Sequence, residues 1–285
     1  MRTVKLFLIT ALIVAASPAL AGRGSSPGAI SSAINSGSVD AIQAELERSE
    51  HLVCPSCVKM VRPLLDHPDR RVRQVAAWWL GRRGLQNDLY DTMNARLLGN
   101  DPVAARNAAD VLGGLRLRLA LQPLGKLLVD GSRSAEARGA AARALGAIGD
   151  PAALPSLSKA LEAPEASVRA AALESLRGLR NFQEPGLAVP LLSDADEAVR
   201  VQAIYTLGAS RSRVMASGGE TAVRALAAVL TGDPSARVRK KAAWALGEIG
   251  APVGLAGPAL SQAASQDPDS LVRSLASAAQ GRLAR

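Results

Sequence analysis

Apolar positions along this chain recur at helical spacing. Val61, Leu64 and Leu65 make one such stripe, and Leu157 and Leu161 another. The β-branched alternation that builds sheets is nearly absent. A longer period lies above the helical one. Val72-Arg73 to Leu80-Gly81, Ala137-Arg138 to Leu145-Gly146 and Val168-Arg169 to Leu176 share the pattern V-R-x-x-A-A-x-x-L-G. So do Val199-Arg200 to Leu207-Gly208, Val238-Arg239 to Leu246-Gly247 and Val272-Arg273 to Gly281. A seventh copy, ending at Leu112-Gly113, departs from it: Ala105 stands where Arg is expected, with Arg106 one position late. Successive copies are 31 to 39 residues apart, room for two short helices and two turns.

Each period therefore reads as a helix pair. Turns such as His67-Pro68-Asp69, Asp101-Pro102, Asp233-Pro234 and Asp267-Pro268 separate the two helices. Pro suits a helix start, and Asp caps the free amides there. The Leu-Gly ending predicts a C-cap, because Gly enters the left-handed region without a Cβ penalty. The expected repeats lie near 51–83, 86–114, 117–148, 151–179, 182–210, 219–249 and 252–282. Ahead of them, 22–37 is Gly- and Ser-rich and predicts a flexible lead-in with a short helix near Ile30 to Ile34. Ser38 then N-caps a helix through Glu47 that covers the first repeat. Extra residues at 210–220 predict a surface loop.

This layout resembles HEAT-like repeats, in particular the short bacterial type first grouped with phycobilin lyases. The resemblance covers roughly residues 51–282. It implies an all-α, right-handed α-solenoid of about seven helix pairs behind an N-terminal helical cap, the whole of 38–285. It also implies a hydrogen-bonded ladder of Arg and Asp between adjacent repeats. Carried over, Arg73, Arg138, Arg169, Arg200, Arg239 and Arg273 are the ladder arginines. Asp69, Glu165, Asp196 and Asp269, four positions earlier, are their candidate partners. Ala105 leaves one rung missing. The planar guanidinium suits such a ladder because it makes two directed bonds at once. Reading the same arginines as a ligand-binding row is the alternative.

Composition and termini narrow the function. Only 2% of residues are aromatic and 48% are hydrophobic, too many for a disordered chain. Arg2 and Lys5, the apolar run Leu6 to Ala16 and the small residues Ala19-Leu20-Ala21 have the layout of a signal peptide over 1–21. Export to the periplasm or outside the cell is expected, with no membrane span after cleavage. The net charge of +9 permits attraction to an acidic polymer, but acids are dispersed among the cations, and export removes nucleic acid as a partner.

Both His and both Cys fall within one stretch, His51-x2-Cys54-x2-Cys57-x9-His67. Haem attachment needs His after the second Cys, and Val58 stands there. A local disulfide between Cys54 and Cys57 fits an even Cys count in an exported chain. A zinc site on His51, Cys54, Cys57 and His67 and a dithiol on the Cys pair are the alternatives. Trp78 and Trp79 are adjacent and point about 100° apart on a helix, so one packs under the cap while the other is a candidate partner anchor. There is no phosphate-binding Gly loop and no nucleophile elbow. HEAT-like iron hydroxylases carry His-Glu pairs, whereas His51 precedes Leu52 and His67 precedes Pro68. The expectation is a monomeric, non-enzymatic scaffold for another protein, without a cofactor.

Overall fold

A computed structural model describes residues 25–210 and 219–283. The expected signal peptide and most of the loop at 210–220 lie outside the described residues. Fifteen α-helices and no strand occur among those described. Helices α1 (Pro27–Asn35) and α2 (Val39–Arg48) precede α3 (Pro55–Val61), α4 (Arg70–Leu80) and α5 (Gln86–Leu98). Then come α6 (Pro102–Leu115), α7 (Leu121–Val129), α8 (Ala135–Ile148), α9 (Leu154–Ala160) and α10 (Ala166–Leu176). The last five are α11 (Glu197–Ala209), α12 (Glu220–Gly232), α13 (Ala236–Ile249), α14 (Val253–Gln266) and α15 (Ser270–Leu283).

The helices form the two layers of an α-solenoid. The second helices of the repeats, α4, α6, α8, α10, α11, α13 and α15, each pack on the next. The first helices make the other layer. The repeated valines Val72, Val168, Val199, Val238 and Val272 are fully buried between the layers. The small alanines beside them, such as Ala141, Ala142, Ala242 and Ala243, are buried too, so the core consists of helix faces at close range.

In two of the Leu-Gly pairs the glycine serves this close approach and does not cap the helix as expected. A Cβ on Gly113 would lie 2.8 Å from the Ala144 backbone, and one on Gly146 would lie 2.8 Å from that of Ser175. Both glycines sit inside their helices, α6 and α8, at the crossing with the next second helix. The left-handed residue comes three positions later, at Gly149 (φ 70°) after α8 and Gly250 (φ 69°) after α13.

One segment matches expectation more closely than its composition suggests, and another differs. The short helix expected near Ile30 to Ile34 is α1, longer at its start, with Pro27 at its first turn, Ser26 accepting from the Ala29 amide at 3.1 Å, and Ile30 buried. One apolar side chain at the right turn outweighs the Gly- and Ser-rich composition. In the fifth repeat the first helix is replaced by two 3-10 turns, Pro185–Ala188 and Pro190–Ser193. Pro185 and Pro190, lacking N–H donors, leave too short an uninterrupted stretch for an α-helical ladder.

Candidate functional site

The ladder is present, and its geometry assigns the arginines to structure. Arg169 Nε and Nη2 donate to both carboxylate oxygens of Asp194 at 2.7 Å. Arg200 holds Asp233 at 2.7 and 3.2 Å, and Arg239 holds Asp267 at 2.7 and 3.0 Å. Arg138 reaches Glu165 at 2.7 Å. Each acid lies in the turn of the following repeat. The Nη1 groups of Arg169, Arg200, Arg239 and Arg273 also donate to the carbonyl six positions earlier, so each arginine ties its own turn in place. Among the described residues, Arg273 in the last repeat bonds only carbonyls, those of Asp267 and Pro268. The guanidinium groups hold Asp194 and Asp267 below the usual carboxylate range.

Of the four acids expected as partners, only Glu165 joins a rung. Asp69, Asp196 and Asp269 accept instead from the first amides of α4, α11 and α15. A side chain at the N-cap faces the orphan amides of its own helix, whereas one two residues earlier faces the preceding repeat. The second repeat has Gly99 at that earlier position. Arg73 therefore turns to the buried Asp110 of α6, at 2.5 and 3.2 Å. Arg106, one position late, bonds its neighbour Asn107 at 3.1 and 3.2 Å.

The His/Cys stretch forms the junction of cap and first repeat. The Cys54 and Cys57 sulfurs are at bonding distance with Cα atoms 5.3 Å apart, within the span a disulfide allows. They do not share a centre with the histidines. The His51 side chain is exposed and lies 3.8 Å from Glu50, while His67 Nδ1 accepts from the Asp69 amide at 3.0 Å. Among the described residues no three His, Cys, Asp or Glu side chains are grouped to hold a metal. A cleft of about 1040 Å³ opens beside Cys54, bounded by residues 50–55 and by the turn at 81–87.

The two tryptophans separate as their angular offset requires. Trp79 is fully buried, and its Nε1 donates to Ser49 Oγ at 2.8 Å. It is therefore withdrawn as a partner anchor, leaving Trp78. The Arg83 guanidinium stacks over the Trp79 ring at 3.1 Å from the centroid. It also donates to the carbonyls of Ser49, Glu50, Leu52 and Trp79, clamping the cap onto the first repeat. Burial, with the charge of Arg82, pulls its pKa down. Sequence reasoning missed this clamp, although Arg83 lies one helical turn after Trp79 and so on the same face.

Trp78 is half-buried and faces a groove over the second helices. A cleft of about 730 Å³ runs between α2 and the second-helix layer, lined by Trp78, Gln74 and Val75 of α4, Gly113 and Gly114 of α6, and Ala147 of α8. A second, of about 210 Å³, continues it across α8 and α10 and shares Gln74 and Ala147. The groove exists because Gly and Ala occupy the crossings. Arg143 lies in it, its guanidinium folded back over Gly139, where a Cβ would be 3.4 Å away. Its Nε is buried without an acceptor among the described residues, and burial lowers its pKa against the opposing charge of Asp110.

This architecture is one of stacked helical repeats with an open face. The model of HEAT repeats matches residues 91–177 and 185–280, more than half of the chain, and the chain belongs to the HEAT-repeat family. The match begins after the irregular first repeat. No curated protein matches the chain in sequence. Among solved structures, YibA of E. coli is similar with TM-score 0.51 and 18% identity, over 86% of this chain and 87% of YibA. Importin beta is similar with TM-score 0.60 and 15% identity, over 90% of this chain and 41% of importin beta. Kap121p bound to the extreme C-terminus of the protein phosphatase Cdc14p is similar with TM-score 0.55 and 14% identity, over 89% of this chain and 33% of Kap121p. At such identities the likeness is one of fold. No described helix is long and apolar enough to cross a membrane.

Proposed function

We propose that this protein is an exported scaffold that holds a protein partner in the groove over its second helices. The observation that carries the reading is that groove, with the half-buried Trp78 at one end and glycine and alanine along its lining. HEAT solenoids are typical interaction scaffolds, and Kap121p has been solved with a protein C-terminus bound. The ladder arginines are engaged in structure, and no catalytic set is proposed. The signal-like residues 1–21 support export, and an oxidised Cys54–Cys57 pair suits that destination. In this reading the pair fixes the local path from cap to first repeat, since so short a loop constrains the unfolded chain little.

The test is affinity capture with groove variants. Trp78→Ala and Ala147→Arg are compared with Leu119→Ala, an exposed residue before α7 in the other layer. The reading expects one stoichiometric companion to be retained by wild type and Leu119→Ala and lost by both groove variants, with unchanged circular dichroism. A companion retained by all four proteins would refute it.

A further inference from the structure

The arginines of the second-helix layer are generally paired. Arg71 meets Asp40, Arg73 meets Asp110, and Arg237 meets Glu197, in addition to the ladder rungs. Three guanidinium groups at the groove break this habit. Among the described residues, the side chains of Arg70, Arg116 and Arg143 make no hydrogen bond and no ion pair, although all three line the groove. Arg143 is the most constrained. It is partly buried, its Nε has no acceptor, and Glu174 at the rim of the same cleft makes no ion pair with it. A desolvated, unpaired guanidinium is costly unless an anion completes it.

From this we propose that the groove receives an extended peptide segment of the partner, with a carboxylate seated on Arg143 and an apolar side chain against Trp78. The proposal rests on the scaffold reading and names its partner's chemistry. A planar carboxylate fits the guanidinium fork with two bonds. Trp78 offers apolar surface two crossings away on α4. The distribution of charge argues against a uniform polyanion. Glu47 lines one end and Glu174 the other, while Glu50 is paired with Arg82, so a continuous run of negative charge meets repulsion at both ends. A segment with one acid and one apolar residue brings a single charge, which meets Glu174 alone beside Arg143, and places none beside Glu47.

The probe is a set of dye-labelled, end-capped octapeptides of Gly and Ser. Each carries one Leu and one Glu at separations of two to five residues, with Gln-for-Glu counterparts, and binding to the purified protein is followed by fluorescence anisotropy. For at least one spacing the Glu peptide should bind about tenfold more tightly than its Gln counterpart. Arg143→Gln should abolish that preference. Arg224→Gln, which removes the same charge from exposed α12, should leave it intact. Equal effects of the two substitutions would reduce the attraction to net charge and overturn the proposal. Binding lost in Trp78→Ala but unchanged in Arg143→Gln would overturn the carboxylate seat while leaving the scaffold reading in place. If no peptide of the set binds, the peptide segment proposed here is wrong, and the capture experiment decides the scaffold reading separately.

Discussion

Asp267 and Asp40 are each bonded to an arginine, but their surroundings differ. Side-chain exposure is 11% and 5% for Arg239 and Asp267, against 54% and 85% for Arg71 and Asp40. Removing one partner of a buried pair leaves an uncompensated charge, so Asp267→Asn should cost about 3 kcal/mol in urea unfolding. Asp40→Asn should cost less than about 1 kcal/mol. Similar costs would mean the ladder is not buried as described. The ladder also sets the response to acid. Asp194 and Asp267 have folded pKa values below their unfolded ones because Arg169 and Arg239 bond them. Their contribution is complete above the unfolded value, about 3.9, and is lost as pH falls through the lower folded value. The Asp194→Asn/Asp267→Asn double variant should melt lower than wild type at pH 7, and the gap should narrow by pH 3. These arginines were legible in the sequence because they recur; their partners were not. A repeat reveals a period but does not say that the acid six positions before an arginine faces back toward the preceding repeat while the acid four positions before it caps the helix. Arg143 carried no recurring signal at all.

Among the elements, the second helices depend on two different uses of glycine. Gly146 lies at a helix crossing, while Gly250 is a left-handed cap with nothing within 4 Å of an added Cβ. Gly146→Ala must displace the Ser175 backbone and should cost about 1–3 kcal/mol. Gly250→Ala is opposed only by its backbone conformation and should cost about 1 kcal/mol. Thermal melts of the two variants check the order, and a larger cost at Gly250 would contradict the packing described. The Leu-Gly motif predicted where each second helix nears its end, but it hid the crossing, because helix-to-helix distance has no local sequence signal. Proline count in the fifth repeat was visible, yet its consequence depended on both Pro185 and Pro190 falling within one short element. Hydrogen exchange should therefore be faster at 185–193 than in α6 or α8, whose amides are held by complete helical ladders.

At the scale of the whole molecule, each repeat contacts its neighbours, and stability is a sum of local terms. Such a chain tolerates one irregular rung at Arg73–Asp110 and one weak element at 185–193 without losing its overall shape. The same construction leaves a long face on which side chains are not all required for folding, and that is where Trp78 and Arg143 lie. The solenoid was readable from its period alone, whereas the groove required the stacking of α4, α6, α8 and α10 in three dimensions. The most direct test of the scaffold account is site-specific photo-cross-linking in the native cells, with a photoreactive phenylalanine at Trp78 or Ala147 in the groove and at Leu119 or Lys126 on the other layer. The account predicts adducts of one discrete mass from the two groove positions and none from the other two. Adducts only from Leu119 and Lys126, or none from the groove, would contradict it.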